Sequence, residues 1–155
     1  MAFLSSINII GSGLTAQQLR LDVVSENITN STTTRTENDG GAYRRKMVVF
    51  EAQSGREDFR SAMARAAGKA VANRDNGANA GGVRVTRIVD DPSPLKLVYD
   101  PTHPDANEEG YVEMPNVDTV KEITDAMAAT QAYSANVTAF NTLKSVIAKG
   151  LEIGG

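Results

Sequence analysis

The sequence predicts an α+β fold: long N- and C-terminal helices pairing as a coiled coil, with a small β-rich middle domain carrying a helical insert. Two observations lead there. Near both ends of the chain, apolar residues recur every three or four positions, the period of a helix with one sticky stripe. Between the ends, short runs of β-branched and aromatic residues are separated by Gly, Pro and Asp clusters, the signals of strands and turns. The boundaries read as 1–30 for the N-terminal helix, 31–116 for the middle and 117–155 for the C-terminal helix. Within the middle, 54–81 is an insert, first helical and then flexible.

In the N-terminal helix the stripe is Phe3, Ile7, Ile10, Leu14, Leu21, Val24 and Ile28, with Gln17 in the one gap. Gly11 and Gly13 interrupt it, each weakening the helix by about 0.5–1 kcal/mol relative to Ala. The pattern fades at Asn30–Thr34, a cluster that favours turns. A first strand is expected at Tyr43–Phe50, after the turn at Gly40 and Gly41. Glu57–Asn73 reads as a helix with Phe59, Met63 and Ala67 on one face, and Asn73–Gly82 as its flexible return. Further strands are expected at Val83–Val89, Leu95–Tyr99 and Tyr111–Met114, punctuated by Pro92, Pro94, Pro101 and Pro104.

The C-terminal helix is expected from Val117 to Leu151. Ile123, Met127, Val137, Phe140, Ile147 and Leu151 share one face, with Thr130, Tyr133 and Lys144 among them. Asn116 or Asp118 is the cap, and Gly150 or Gly154 the stop. The N-terminal stripe, broken by glycines, does not hold a helix by itself, so it needs a partner. The partner is either the other end of the same chain or the ends of neighbouring chains, with folding completed on assembly.

Composition narrows the function. In 155 residues, 41% are hydrophobic but only 5% aromatic, which is thin for one large core and leaves the end helices under-covered. The net charge of −3 gives no basic field for a nucleic acid. The absence of cysteine removes disulfides, thiolate nucleophiles and Cys-ligated zinc together. The N-terminus lacks a basic segment, and Ser5, Ser6 and Asn8 break its apolar run, so it does not read as a cleaved signal. No stretch reaches the roughly 20 apolar residues of a membrane span, so no direct membrane insertion is expected.

No residue is assigned a catalytic, metal-binding or cofactor role, and no cofactor is expected. His103, between Asp100 and Asp105, is the single histidine, too few for a typical zinc site. It reads as part of a solvated turn. The acidic loop from Asp90 to Glu109 lacks the spacing of a calcium loop. Arg44, Arg45 and Lys46 form a short basic run, either a contact to a neighbouring subunit or a solvated strand face. A hydrolase using Asp100 and His103 is the rival reading from another class. A second rival, an interfacial membrane helix at 3–28, is weakened by a polar face holding Gln18, Arg20, Asp22, Ser25 and Glu26.

The residues themselves resemble a known family. Ser12-Gly13-Leu14-Thr15-Ala16, then Arg20, then Asn27-Ile28-Thr29-Asn30, is similar to the N-terminal signature of flagellar rod and hook proteins, with Thr29 where that signature has Ala. Residues 132–140 resemble the matching C-terminal helix. Tyr43–Phe50, Tyr99–Ala106, Gly110–Val112 and Pro115–Val117 are similar to segments of proximal-rod members. The likeness covers nearly the whole chain outside about 54–81.

The resemblance implies a non-enzymatic building block, exported unfolded by the flagellar type III apparatus without a cleaved signal. In the periplasm it would assemble into the rod of the basal body, with the end helices forming an inner coiled-coil tube and the β-rich middle facing outward. Its implied partners are other copies of itself, other rod proteins, the rod-base adaptor and the export apparatus. The expected subunit-interface residues are Phe3, Ile7, Ile10, Leu14, Leu21, Val24, Asn27, Ile28 and Asn30 at one end. At the other they are Ile123, Met127, Tyr133, Val137, Phe140, Ile147 and Leu151.

Overall fold

The computed structural model describes residues 2–37, 40–54, 63 and 80–153. In chain order they form helix α1 (Ala2–Thr29), strands β1 (Lys46–Ser54), β2 (Ala80–Asp90), β3 (Lys96–Tyr99) and β4 (Tyr111–Met114), and helix α2 (Thr119–Ile153). The architecture is α+β, with two long terminal helices and two small sheets between them in sequence. β1 pairs with β2, and β3 with β4. The predicted helical insert at 54–81 lies outside the described residues, apart from Ser54, Met63, Ala80 and Gly81. The chain divides into two compact units. One holds Met1–Ala16, Phe50–Arg84 and Tyr133–Gly155; the other holds Gln17–Val49 and Val85–Ala132.

In the second unit, the helix ends follow from local hydrogen bonding. α1 ends as the chain tightens after it: the Ser31 N–H donates to the Ile28 carbonyl at 3.2 Å, and the Asn30 side-chain amide donates to the Glu26 carbonyl at 3.0 Å. α2 starts on Asp118, whose carboxylate accepts from the N–H groups of Val120 (3.1 Å) and Lys121 (3.4 Å). Of the two candidate caps, Asp118 therefore does the capping. Asn116 reaches backwards instead, accepting from the Arg45 N–H at 2.8 Å and donating to the Asp91 and Ser93 carbonyls.

Several expected boundaries move. The first strand begins at Lys46, not Tyr43, because the main chain before it bonds elsewhere: Tyr43 N–H to the Thr33 carbonyl, Arg45 N–H to Asn116. It runs on to Ser54, beyond Phe50. β2 begins at Ala80, so the end of the expected flexible return is strand. α2 begins at Thr119 instead of Val117, and Gly150 lies inside it without stopping it.

β3 and β4 form an antiparallel ribbon in which Lys96 faces Met114, Val98 faces Val112 and Tyr99 faces Tyr111. Val112 points inward and is 2% exposed; the Tyr99 and Tyr111 rings meet edge to face, centroids 5.3 Å apart, on the outer side. The Lys96 ammonium donates to the Val117 carbonyl at 2.6 Å, tying the ribbon to the approach to α2.

In the first unit, Ser12 joins α1 to the start of β2. Its hydroxyl donates to the Ile9 carbonyl (2.7 Å) and accepts from the Val83 N–H (3.1 Å). Gly82 makes that approach possible. A Cβ there would overlap the Ser12 hydroxyl, lie 2.8 Å from Ser12 Cβ and 3.3 Å from Ile9 Cα. Because helix backbone would have to give way, Gly82→Ala is expected to cost about 1–3 kcal/mol. Gly11, with open space around its Cβ position, is the control: Gly11→Ala is expected to stabilise the helix by about 0.5–1 kcal/mol. Thermal unfolding of the two variants checks the difference in sign.

Candidate subunit interface

On α2 the two faces are used differently. In the second unit its inward residues are small or polar: Glu122 and Ala129 are fully buried, and Asp125 and Ala126 half-buried. The larger apolar side chains point out. Val120 is 73% exposed, Ile123 49% and Met127 69%. Their spacing of three and four puts them in one row along the helix. Burying each such side chain is worth about 1.5–3 kcal/mol, so the row is a strong candidate for contact with another chain.

A polar cluster lies on the inward face. Glu122 Oε1 accepts from Arg45 Nε at 2.6 Å, and Oε2 from the Asn27 amide at 2.9 Å. Asn27 also donates to the Lys46 carbonyl (2.9 Å) and accepts from the Lys46 N–H (2.8 Å) and the Tyr43 hydroxyl (2.9 Å). Both its donors and its acceptor oxygen are thus used. Arg45 pairs further with Asp91 at 3.5 Å. Lys46 pairs with Glu26 and sits 5.5 Å from the Tyr43 ring centre, and Arg20 pairs with Asp125. A buried carboxylate without such partners would be costly, so these donors are what make the inward position of Glu122 tolerable.

The cluster shifts its members' protonation. Burial, then the charges of Glu26, Asp90 and Glu122, push the Tyr43 hydroxyl well above the ordinary tyrosine range. Burial opposes the Arg45 charge, but the Glu122 hydrogen bond and the carboxylates around it outweigh that and raise its pKa. For Tyr43 the folded value exceeds the unfolded one. Its stabilising contribution is therefore fully present below about pH 10 and lost as pH rises beyond it. Wild type is expected to lose thermal stability above that pH more steeply than Tyr43→Phe, as paired melting curves would show.

The expected interface residues fall in different places. In the second unit Val24 (3% exposed) and Asn27 (1%) lie in the interior, while Leu21, Ile28 and Asn30 are half-buried. There Ile123 and Met127 face out. In the first unit Ile7, Ile10, Leu14, Tyr133, Val137 and Ile147 are half-buried; Phe140 is 38% and Leu151 73% exposed. Phe3 lies in α1. The first unit also explains Gly13: a Cβ there would come within 3.0 Å of the Asn136 amide.

Sequence reasoning missed Glu122, Tyr43, Arg45 and Asn116 as parts of one cluster. The usable signal was a carboxylate spaced four and seven residues from Ala126 and Ala129, on the face that close packing favours. The basic run divides: Arg45 and Lys46 make ion pairs, while Arg44 is exposed, its guanidinium 3.5 Å from the Ser93 carbonyl. The His103 turn is internally bonded. His103 Nδ1 accepts from the Asp105 N–H at 3.1 Å, and Asp105 holds Thr34 and Arg35. Asp100 accepts from the Thr102 hydroxyl and N–H, which keeps its carboxyl below the usual range.

Two family profiles match the chain: "Flagella basal body rod protein" over residues 7–35 and "Flagellar basal body rod FlgEFG protein C-terminal" over residues 108–153. The chain is 47% identical to the flagellar basal-body rod protein FlgC of Bacillus subtilis, with 99% of each chain covered. It is 44% identical to FlgC of Borreliella burgdorferi, over 99% of this chain and 98% of the other, and 40% identical to FlgC of Escherichia coli O6:H1, over 99% of both. The chain belongs to the FlgC family of flagellar basal-body rod proteins. FlgC-family chains are structural, so this one is a rod component and not an enzyme. The Asn27–Glu122 bond joins the two segments that the rod profiles match. No helix among the described residues is long and apolar enough to cross a membrane.

Proposed function

We propose that the chain is a subunit of the proximal rod, polymerising through its terminal helices to transmit torque from motor to hook in bacterial motility. The observation that carries this reading is the row Val120, Ile123 and Met127, large apolar side chains left in water on a helix of a rod-family protein. In the assembled rod the end segments 1–30 and 117–155 act as assembly helices and pair as a coiled coil. Segment 31–116 is the outer part, with the insert at 54–81 filling space against a neighbour. The interface is built on Phe3, Ile7, Ile10, Leu14, Leu21 and Ile28 of α1, and on Ile123, Met127, Tyr133, Val137, Phe140, Ile147 and Leu151 of α2. Val24, Asn27 and Asn30 serve it by holding the end of α1 in shape.

The partners are further copies of the chain, other rod proteins, the rod-base adaptor and the export apparatus. The rod lies in the periplasm, reached by type III export without a cleaved signal. Such contacts are heterologous, so they build an open helical polymer. Deleting the gene in its bacterium is expected to abolish swimming and leave isolated basal bodies without a rod. Normal swimming after deletion would overturn the reading.

A further inference from the structure

Among the described residues the buried polar side chains are Asn27 and Glu122, and they bond to each other. Burying a carboxylate is a poor way to gain stability, because the cost of removing it from water offsets most of the attraction to its partner. The surroundings indicate a different use. In the second unit, α2 turns Ala126 and Ala129 inward, side chains too small to act as knobs. Such a surface does little to distinguish one turn of a neighbouring helix from the next. Glu122 distinguishes them sharply. Each of its oxygens has its own donor, from Arg45 and from Asn27, and Asn27 has no spare hydrogen-bonding capacity. A slip of α2 by one helical turn, about 5.4 Å, would take Glu122 away from both donors and leave its carboxylate buried without them.

We infer that the Asn27–Glu122–Arg45 cluster is a register lock, a polar device that fixes which turn of α1 faces which turn of α2. Arg20–Asp125, half-exposed, is a second tooth farther along the same pair of helices. The inference concerns the isolated chain and stands apart from the rod reading.

The native chain has no cysteine, so Asp22→Cys and Thr124→Cys, both exposed and in the same unit, place two unique spin labels. Glu122→Leu with Arg45→Met replaces the ion pair by apolar bulk, a change that usually preserves stability. The labelled parent is expected to give one narrow inter-label distance. The double variant, still helical by circular dichroism, is expected to add a second distance population holding at least about a tenth of the molecules. Glu122→Gln, which keeps the shape and loses the charge, is expected to show the same population at a lower level. A single narrow distance in both variants would overturn the inference. So would loss of helical structure in both, because the cluster would then be holding the fold and not selecting its register.

Discussion

Glu122→Ala is expected to cost the isolated chain about 2–4 kcal/mol, lowering its thermal midpoint by roughly 5–15 °C. The loss comes less from the missing attraction than from what remains. Arg45 keeps its charge with only Asp91 beside it at 3.5 Å, and an Asn27 amide hydrogen faces a cavity. The Arg45 side chain is 22% exposed, so water partly compensates and the cost stays below that of a fully buried orphan. Removing both charges, with Glu122→Leu and Arg45→Met together, is expected to recover about half of that loss, because the orphan charge is gone while the Asn27 amide hydrogen stays unpaired. Denaturant melts of the parent, both single variants and the double variant test this. If Glu122→Ala unfolded at the wild-type midpoint, the cluster would have no thermodynamic role.

Ile123→Glu combined with Met127→Glu is expected to leave the isolated chain within about 0.5 kcal/mol of wild type, since both side chains already face water. Its effect on assembly is expected to be drastic. Two carboxylates carried into an apolar contact cost several kcal/mol at every repeat, and each 1.4 kcal/mol is tenfold in affinity. Cells carrying the variant are expected to export the chain yet fail to swim, with no complete rod in isolated basal bodies. Lys121→Ala, on the same helix but off the row, is expected to swim normally. Wild-type swimming by the double variant would remove Ile123 and Met127 from the interface.

Different parts of this protein were legible to different depths. The two terminal helices could be read because a three-and-four spacing over some thirty residues is long-range information carried locally. The strand Tyr111–Met114 was read to the residue, since Gly110 and Pro115 bracket a short β-prone run. The start of β1 was not, because Tyr43–Arg45 have strand-forming side chains whose main-chain groups bond to Thr33 and Asn116, far away in sequence.

Helix orientation was the larger surprise. Ile123 and Met127, expected at a subunit interface, face water in the chain by itself. Periodicity reports that a helix has an apolar side. It does not report whether that side meets its own chain or another one. The α+β order, the helices and the family signature were thus determined by the sequence alone, through local spacing and motif. Which face of α2 turns inward was decided only in three dimensions. Glu122, Asn27 and Arg45 lie far apart along the chain, and a buried carboxylate is tolerable only where its partners converge.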